Sequence, residues 1–222
     1  MLVLALDTAT PSVTAGVVEL AAGQPTVLAE RGSVDARAHG ELLTPYAREA
    51  LAEAGTGMRE LDALVCGIGP GPFTGLRAGM VTAAALGHAL GLPVYPVCSL
   101  DAIAAGVPDP DPLLVVTDAR RREVYWASYA AGARTGGPHV ESPATLVARE
   151  LGIGRAAGHG ARLYAEALGF VEIPPAYPSP AGLVRAAGAP LAGGEPPGAL
   201  TPLYLRRPDA AEPGTRKRVS QP

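Results

Sequence analysis

Apolar residues run without interruption from Leu2 to Leu6, the length and texture of a buried strand. Asp7-Thr8-Ala9-Thr10-Pro11 breaks that run as a turn. Ser12 to Leu20 then reads as a second strand, Ala21 to Pro25 as a hairpin turn and Thr26 to Ser33 as a third strand. The chain therefore opens on a strand meander, not on a βαβ unit. From about Ala38 the period changes. Leu42, Leu43, Tyr46, Ala47, Ala50, Leu51 and Ala54 recur three and four residues apart, forming one apolar stripe of a helix that Gly55 and Gly57 end. Leu61 to Ile68 is another buried strand. After a turn rich in glycine and proline, the pattern predicts an alanine-rich helix over 74–90, capped by Thr74 and ended by Gly91 and Pro93. Pro93 to Val97 is a strand, and Ser99 caps a short helix through Ala105.

Pro108-Asp109-Pro110-Asp111-Pro112 reads as a linker. Beyond it Leu113–Thr117 and Glu123–Ala130 pair as strands about a charged turn, a weaker echo of the opening meander. Helices are expected over 142–151 and from Ser179, with Pro180 at the first helical position, to Ala187. Arg206 to Pro222 is polar and basic and is expected to be a flexible tail. This order predicts an α/β protein of two lobes, residues 1–107 and a smaller 108–205, each a mixed sheet with flanking helices. That plan resembles the actin/hexokinase-type (ASKHA) ATPases.

The chain has 222 residues, of which 48% are hydrophobic and 18% charged, so an ordered core is expected. The formal net charge of −3 argues against stand-alone nucleic-acid binding, which draws most of its affinity from cations on phosphates. Cys66 and Cys98 sit in apolar surroundings without a CxxC pair and read as reduced, buried thiols of a cytoplasmic protein. The first residues lack the basic start of a signal peptide. The longest apolar stretch, from Met80 to Val107, is broken by His88, Pro93, Pro96 and Asp101 and does not read as a membrane span.

Two turns carry candidate chemistry. The Asp7–Thr10 turn aims amides and two hydroxyls at a cleft mouth, an arrangement suited to phosphate or carboxylate; it also reads as an ordinary self-bonded turn. Gly69-Pro70-Gly71-Pro72-Phe73-Thr74-Gly75-Leu76-Arg77 links a buried strand to a helix whose N-terminus favours an anion. It is neither a Walker A loop nor a dinucleotide fingerprint. A purely structural elbow is the competing reading.

That segment is close to the GPGSFTGLR signature of the TsaB family, with Pro72 where serine is usual. Leu4–Thr10 resembles the family's opening strand and turn. His39-Gly40-Glu41-Leu42-Leu43-Thr44-Pro45 resembles the start of its first helix. Asp118-Ala119-Arg120-Arg121-Arg122-Glu123-Val124-Tyr125 is similar to its second-lobe hairpin, and Pro202-Leu203-Tyr204-Leu205-Arg206 to its C-terminal signature. The resemblance implies a non-catalytic subunit that partners and activates TsaD. TsaD transfers threonylcarbamoyl to N6 of adenosine 37 in tRNAs reading codons that start with A. TsaE joins the pair, and tRNA is met only through the complex.

TsaD-type subunits carry a His-x-x-x-His pair that grips one metal ion. Here His39 starts the corresponding helix, but four residues on stands Leu43, so no catalytic metal is expected. Proteolysis finds no GxSxG elbow and no HExxH. A small nucleotide-dependent transferase or kinase of the same fold is the alternative; Asp7 would be its base. No cofactor is required on the accessory reading, and weak ATP or ADP binding is expected at Asp7, Thr8, Gly69, Gly71 and Thr74, with Gly158-His159-Gly160 as a third glycine turn. The resemblance favours a helical partner interface built from His39, Leu42, Leu43, Tyr46, Gly75, Gly79, Thr82, Ala83 and Leu86, engaging TsaD or a second copy of the chain. Arg120–Arg122 reads as a solvated hairpin tip or as a contact for tRNA or TsaE.

Overall fold

The computed structural model of the chain describes residues 1–206. β1 (Leu2–Asp7), β2 (Ser12–Ala21) and β3 (Gln24–Val34) form the expected antiparallel meander. After α1 (His39–Glu53) and a short 3₁₀ turn, β4 (Ala63–Gly67) pairs parallel to β1. α2 (Phe73–Leu90) returns the chain to β5 (Val94–Val97), parallel to β4. The first sheet is thus ordered β3-β2-β1-β4-β5. α3 (Ser99–Ala104) leads to the second lobe.

There β6 (Leu113–Asp118), β7 (Val124–Ala130) and β8 (Ala133–Glu141) repeat the meander, followed by α4 (Pro143–Val147). β9 (Arg155–Ala157) lies parallel to β6, with α5 (His159–Leu163) and α6 (Ala165–Leu168) after it. β10 (Val171–Glu172) closes the second sheet in the order β10-β9-β6-β7-β8, the same topology as the first. The two-lobed α/β expectation therefore holds at the level of topology. β8 was not foreseen: its Gly136, Gly137 and Pro138 weaken any strand pattern, and the β7–β8 register shifts beside them. The helix expected over 142–151 is only α4, with the Ser142 hydroxyl accepting the Thr145 amide at 3.2 Å.

α7 (Pro180–Ala192) corrects the division by sequence position. It begins as expected, with the Ser179 hydroxyl accepting the Gly182 amide at 3.1 Å and Pro180 in the first turn. It then leaves the second half of the chain and packs on the first sheet. Leu183, Val184, Ala187 and Leu191 share a core with Val3, Ala5, Val65 and Tyr95. α1 and α2 cover the opposite face through Leu43, Ala47, Leu76 and Met80 on Leu4, Leu6 and Leu64. α3 belongs to both halves, since Ala102 joins the first core while Leu100 and Ile103 pack on β6 and β7.

Residues 200–206 cross between the lobes. Leu200 packs on the first core, and Leu203 and Leu205 on the second. The Leu203 amide donates to the Ile68 carbonyl at 2.9 Å. The Arg206 guanidinium pairs with Glu123 and donates to the Ala119 carbonyl at 2.9 Å. Arg206, expected to open the tail, is therefore anchored. The remainder of that expectation, residues 207–222, lies outside the described residues.

Candidate functional site

The two turns singled out in the sequence close on each other. β1 delivers Asp7 and Thr8 at its end, and β4 delivers the 69–77 elbow beside them. The Thr8 hydroxyl donates to the Gly75 carbonyl at 2.7 Å and accepts the Gly79 amide at 2.9 Å. A Cβ at Gly71 would overlap the Ala9 backbone, and one at Gly79 would overlap the Thr8 hydroxyl. These glycines bring the α2 backbone against the turn. Gly69 has φ 93°, a conformation natural to glycine. The His39 Nε2 lies 2.8 Å from the Thr10 carbonyl. A carbonyl only accepts, so Nε2 carries the hydrogen and fastens the start of α1 to the same turn.

Asp7 is wholly buried. The Ser99 hydroxyl donates to its Oδ2 at 2.5 Å, and the Ala9 amide to its Oδ1 at 2.9 Å. Burial pushes its pKa up to about 6, against the lowering effect of those two donors. The expected Ser99 cap is thereby corrected: Cys98 is the N-cap of α3, and the serine hydroxyl serves Asp7 instead. Thr74 is likewise not the cap of α2. Pro72, with φ −62° and ψ 136°, is the last non-helical residue, and no side chain caps this helix. Where the TsaB signature has serine, a residue suited to capping, this chain has a proline that cannot cap.

A cavity of about 290 Å³ lies between the lobes. Thr10, His39 and Gly71 to Gly75 wall it on the first-lobe side. Asp118, Ala119, Arg120 and Tyr125 wall it on the second, and Tyr204 to Arg206 lie along it. Of the residues expected at a phosphate loop, Gly71 and Thr74 line this space, whereas Asp7, Thr8 and Gly69 do not. The expected third turn, Gly158–Gly160, does not line it either. The Asp118 amide donates to His159 Nε2 at 3.2 Å, and burial lowers the His159 pKa to about 4. That imidazole, stacked on Tyr177, supports the Asp118 turn from behind.

Sequence reasoning did not foresee how Phe73, Arg77 and Tyr204 meet, nor the pairing of Asp118 with Tyr164. Phe73 and Tyr204 pack at a 50° tilt with ring centroids 4.6 Å apart, and Arg77 lies over both rings while its Nε donates to the Tyr204 hydroxyl at 2.8 Å. Asp118 accepts the Tyr164 hydroxyl at 2.8 Å and the Arg120 amide at 3.0 Å. The two motifs carrying Arg77 and Tyr204 were visible; their meeting was not.

The expected partner surface divides in two. His39, Leu43, Gly75, Gly79 and Ala83 are buried in their own lobe, against the sheet and the Asp7–Thr10 turn. Leu42, Tyr46, Thr82 and Leu86 are half-buried. The outward face of α2 is instead Arg77, Val81, Ala84, Ala85 and His88, with Val81 66% exposed. Among the described residues, no three His, Cys, Asp or Glu side chains gather as a metal site. No described helix is long and apolar enough to cross a membrane.

The family model for TsaD, tRNA N6-adenosine threonylcarbamoyltransferase, matches residues 27–185. The chain belongs to the TsaD family. Within it the chain is TsaB-like. It is 56% identical over 209 residues to a protein of Mycobacterium tuberculosis, covering 94% of this chain and 93% of that one. It is 36% identical over 127 residues to the tRNA threonylcarbamoyladenosine biosynthesis protein TsaB of Haemophilus influenzae, covering 56% of this chain and 52% of that protein. YeaZ from Pseudomonas aeruginosa superposes with a TM-score of 0.76 at 28% identity, over 92% of this chain and 99% of that one.

Proposed function

We propose that this TsaB-like chain acts in tRNA threonylcarbamoyladenosine biosynthesis as a non-catalytic subunit that binds and activates TsaD. The observation that carries the non-catalytic part is the pair His39 and Leu43. TsaD-type chemistry places two metal-binding histidines there. Here His39 is held by the Thr10 carbonyl, and Leu43 is 1% exposed in the core. A lone imidazole with an engaged nitrogen makes a poor metal site. Asp7, the base a kinase would need, is sealed behind Ser99 and does not reach the cavity. The Asp7–Thr10 turn is bonded to α2, and of the expected phosphate-loop residues only Gly71 and Thr74 reach the cavity, so the proposal includes no required cofactor and only weak ATP or ADP binding.

TsaD is the proposed partner, with TsaE in a larger assembly, tRNA met through the complex and the cytoplasm as the setting. The outward faces of α1 and α2 are the proposed contact, for TsaD or for a second copy when the chain is alone. Gel filtration of the chain mixed with TsaD tests this reading. A joint peak is expected; separate elution at micromolar concentrations contradicts it.

A further inference from the structure

The mouth of the interlobe cavity gathers cations and aromatic rings to which the accessory reading gives no task. Phe73, Tyr125 and Tyr204 line the cavity, and among the described residues Tyr204 is the one exposed large hydrophobic side chain that does so. Arg120 stands on the opposite wall. It belongs to a turn in which Arg120, Arg121 and Arg122 have φ 62°, 53° and 60°, three successive left-handed residues without a glycine, all with exposed side chains. Chains avoid that conformation, and where it persists it often marks a functional segment. The carboxylates of the same turn are engaged: Glu123 pairs with Arg206, and Asp118 accepts from Tyr164 and from the Arg120 amide. The uncapped start of α2 adds further positive potential at the same wall. The turn itself therefore carries three successive arginines, Arg120 on the cavity wall and Arg121 and Arg122 following it, on a chain whose formal charge is −3.

Arginines beside aromatic rings suit single-stranded RNA, whose phosphates take the cations and whose unpaired bases stack on rings. A protein partner would call for a broad exposed aliphatic surface; among the described residues that line this mouth, Ala36 is the one exposed aliphatic side chain and Leu205 is half-buried. We infer that Arg120 and Arg122, with Phe73 and Tyr204, form a contact for an unpaired stretch of the tRNA inside the TsaD complex. This rests on the reading above that the chain works on tRNA through TsaD. The contact is auxiliary: a few phosphates strengthen an assembly that this acidic chain would not hold alone.

The test uses the TsaD complex carrying Arg120→Ala/Arg122→Ala and a fluorescent tRNA, titrated over a range of salt. The expected results are unchanged assembly by gel filtration, affinity at low salt weaker by about tenfold, and a log–log salt slope shallower by about 0.7 per lost phosphate contact. Arg120→Lys/Arg122→Lys should restore the slope. Ultraviolet cross-linking of thiouridine-substituted tRNA should label Phe73 or Tyr204. An unchanged slope overturns the proposal. Loss of TsaD or TsaE association with an unchanged tRNA slope also overturns it and assigns the turn to a protein. Displacement of tRNA by ATP alone overturns it in favour of a free nucleotide. If the wild-type complex neither forms nor binds tRNA, the accessory reading itself has failed.

Discussion

The Thr8 hydroxyl and the Gly79 amide lie 2.9 Å apart across 71 residues of sequence. The same oxygen donates to the Gly75 carbonyl, so one threonine docks the first turns of α2 on the end of β1. Replacing a mid-helix glycine by alanine ordinarily stabilises a helix by roughly 0.5–1 kcal/mol. At Gly79 the sign should reverse, because the new methyl overlaps the Thr8 hydroxyl. Gly79→Ala is expected to destabilise the chain by about 1–3 kcal/mol. Thermal unfolding should show a midpoint lower by about 2–4 °C per kcal/mol. Thr8→Ala/Gly79→Ala should lose less than the sum of the single variants, since the overlap is relieved.

Asp7 gives a pH signature. Its pKa rises from 3.8 to about 6 on folding, so the folded state holds the proton more tightly than the unfolded state. The resulting stabilisation is complete below pH 3.8, falls as pH rises, and is gone above about pH 6. Its full size is about 3 kcal/mol. Asp7→Asn lacks the titration, and its side chain still offers an acceptor to the Ala9 amide. Denaturant unfolding should show the variant gaining on the wild type between pH 4 and pH 7. Parallel pH profiles would contradict the assignment.

Much of this was legible in the chain. The buried strands and the amphipathic α1 announce themselves by period, and Gly91 at φ 68° ends α2 where expected. Long-range docking was not legible. The stripe of Leu183, Val184 and Ala187 predicts that α7 has a buried face, but nothing in it says which sheet receives that face. The stripe of Gly75, Gly79 and Ala83 has the same ambiguity: small residues announce a close approach without naming the neighbour. Here the neighbour is the chain's own Asp7–Thr10 turn. The hydroxyls of Ser99 and Thr74 fit a local cap equally well by sequence, and only the position of Asp7 diverts the first.

The outward face of α2 is the proposed partner surface. Val81→Glu alters a side chain 66% exposed and should change stability by no more than about 0.5 kcal/mol. The same charge placed in an apolar interface should abolish co-elution with TsaD. Retained co-elution would move the contact elsewhere.

Arg77 and Tyr204 tie the elbow to the segment that crosses between the lobes. Tyr204→Ala removes that hydrogen bond and the ring contacts, with an expected cost of about 1 kcal/mol. Hydrogen exchange at the Leu203 amide, bonded to the Ile68 carbonyl, should quicken more than exchange in β1.

The central claim is that this chain supports threonylcarbamoyl transfer without performing it. The direct measurement is threonylcarbamoyladenosine formed on tRNA by TsaD, TsaE, ATP and the threonylcarbamoyl adenylate, with and without the chain. Product should depend on adding the chain, and the chain without TsaD should form none. Equal product in its absence, or product from the chain alone, would contradict the account.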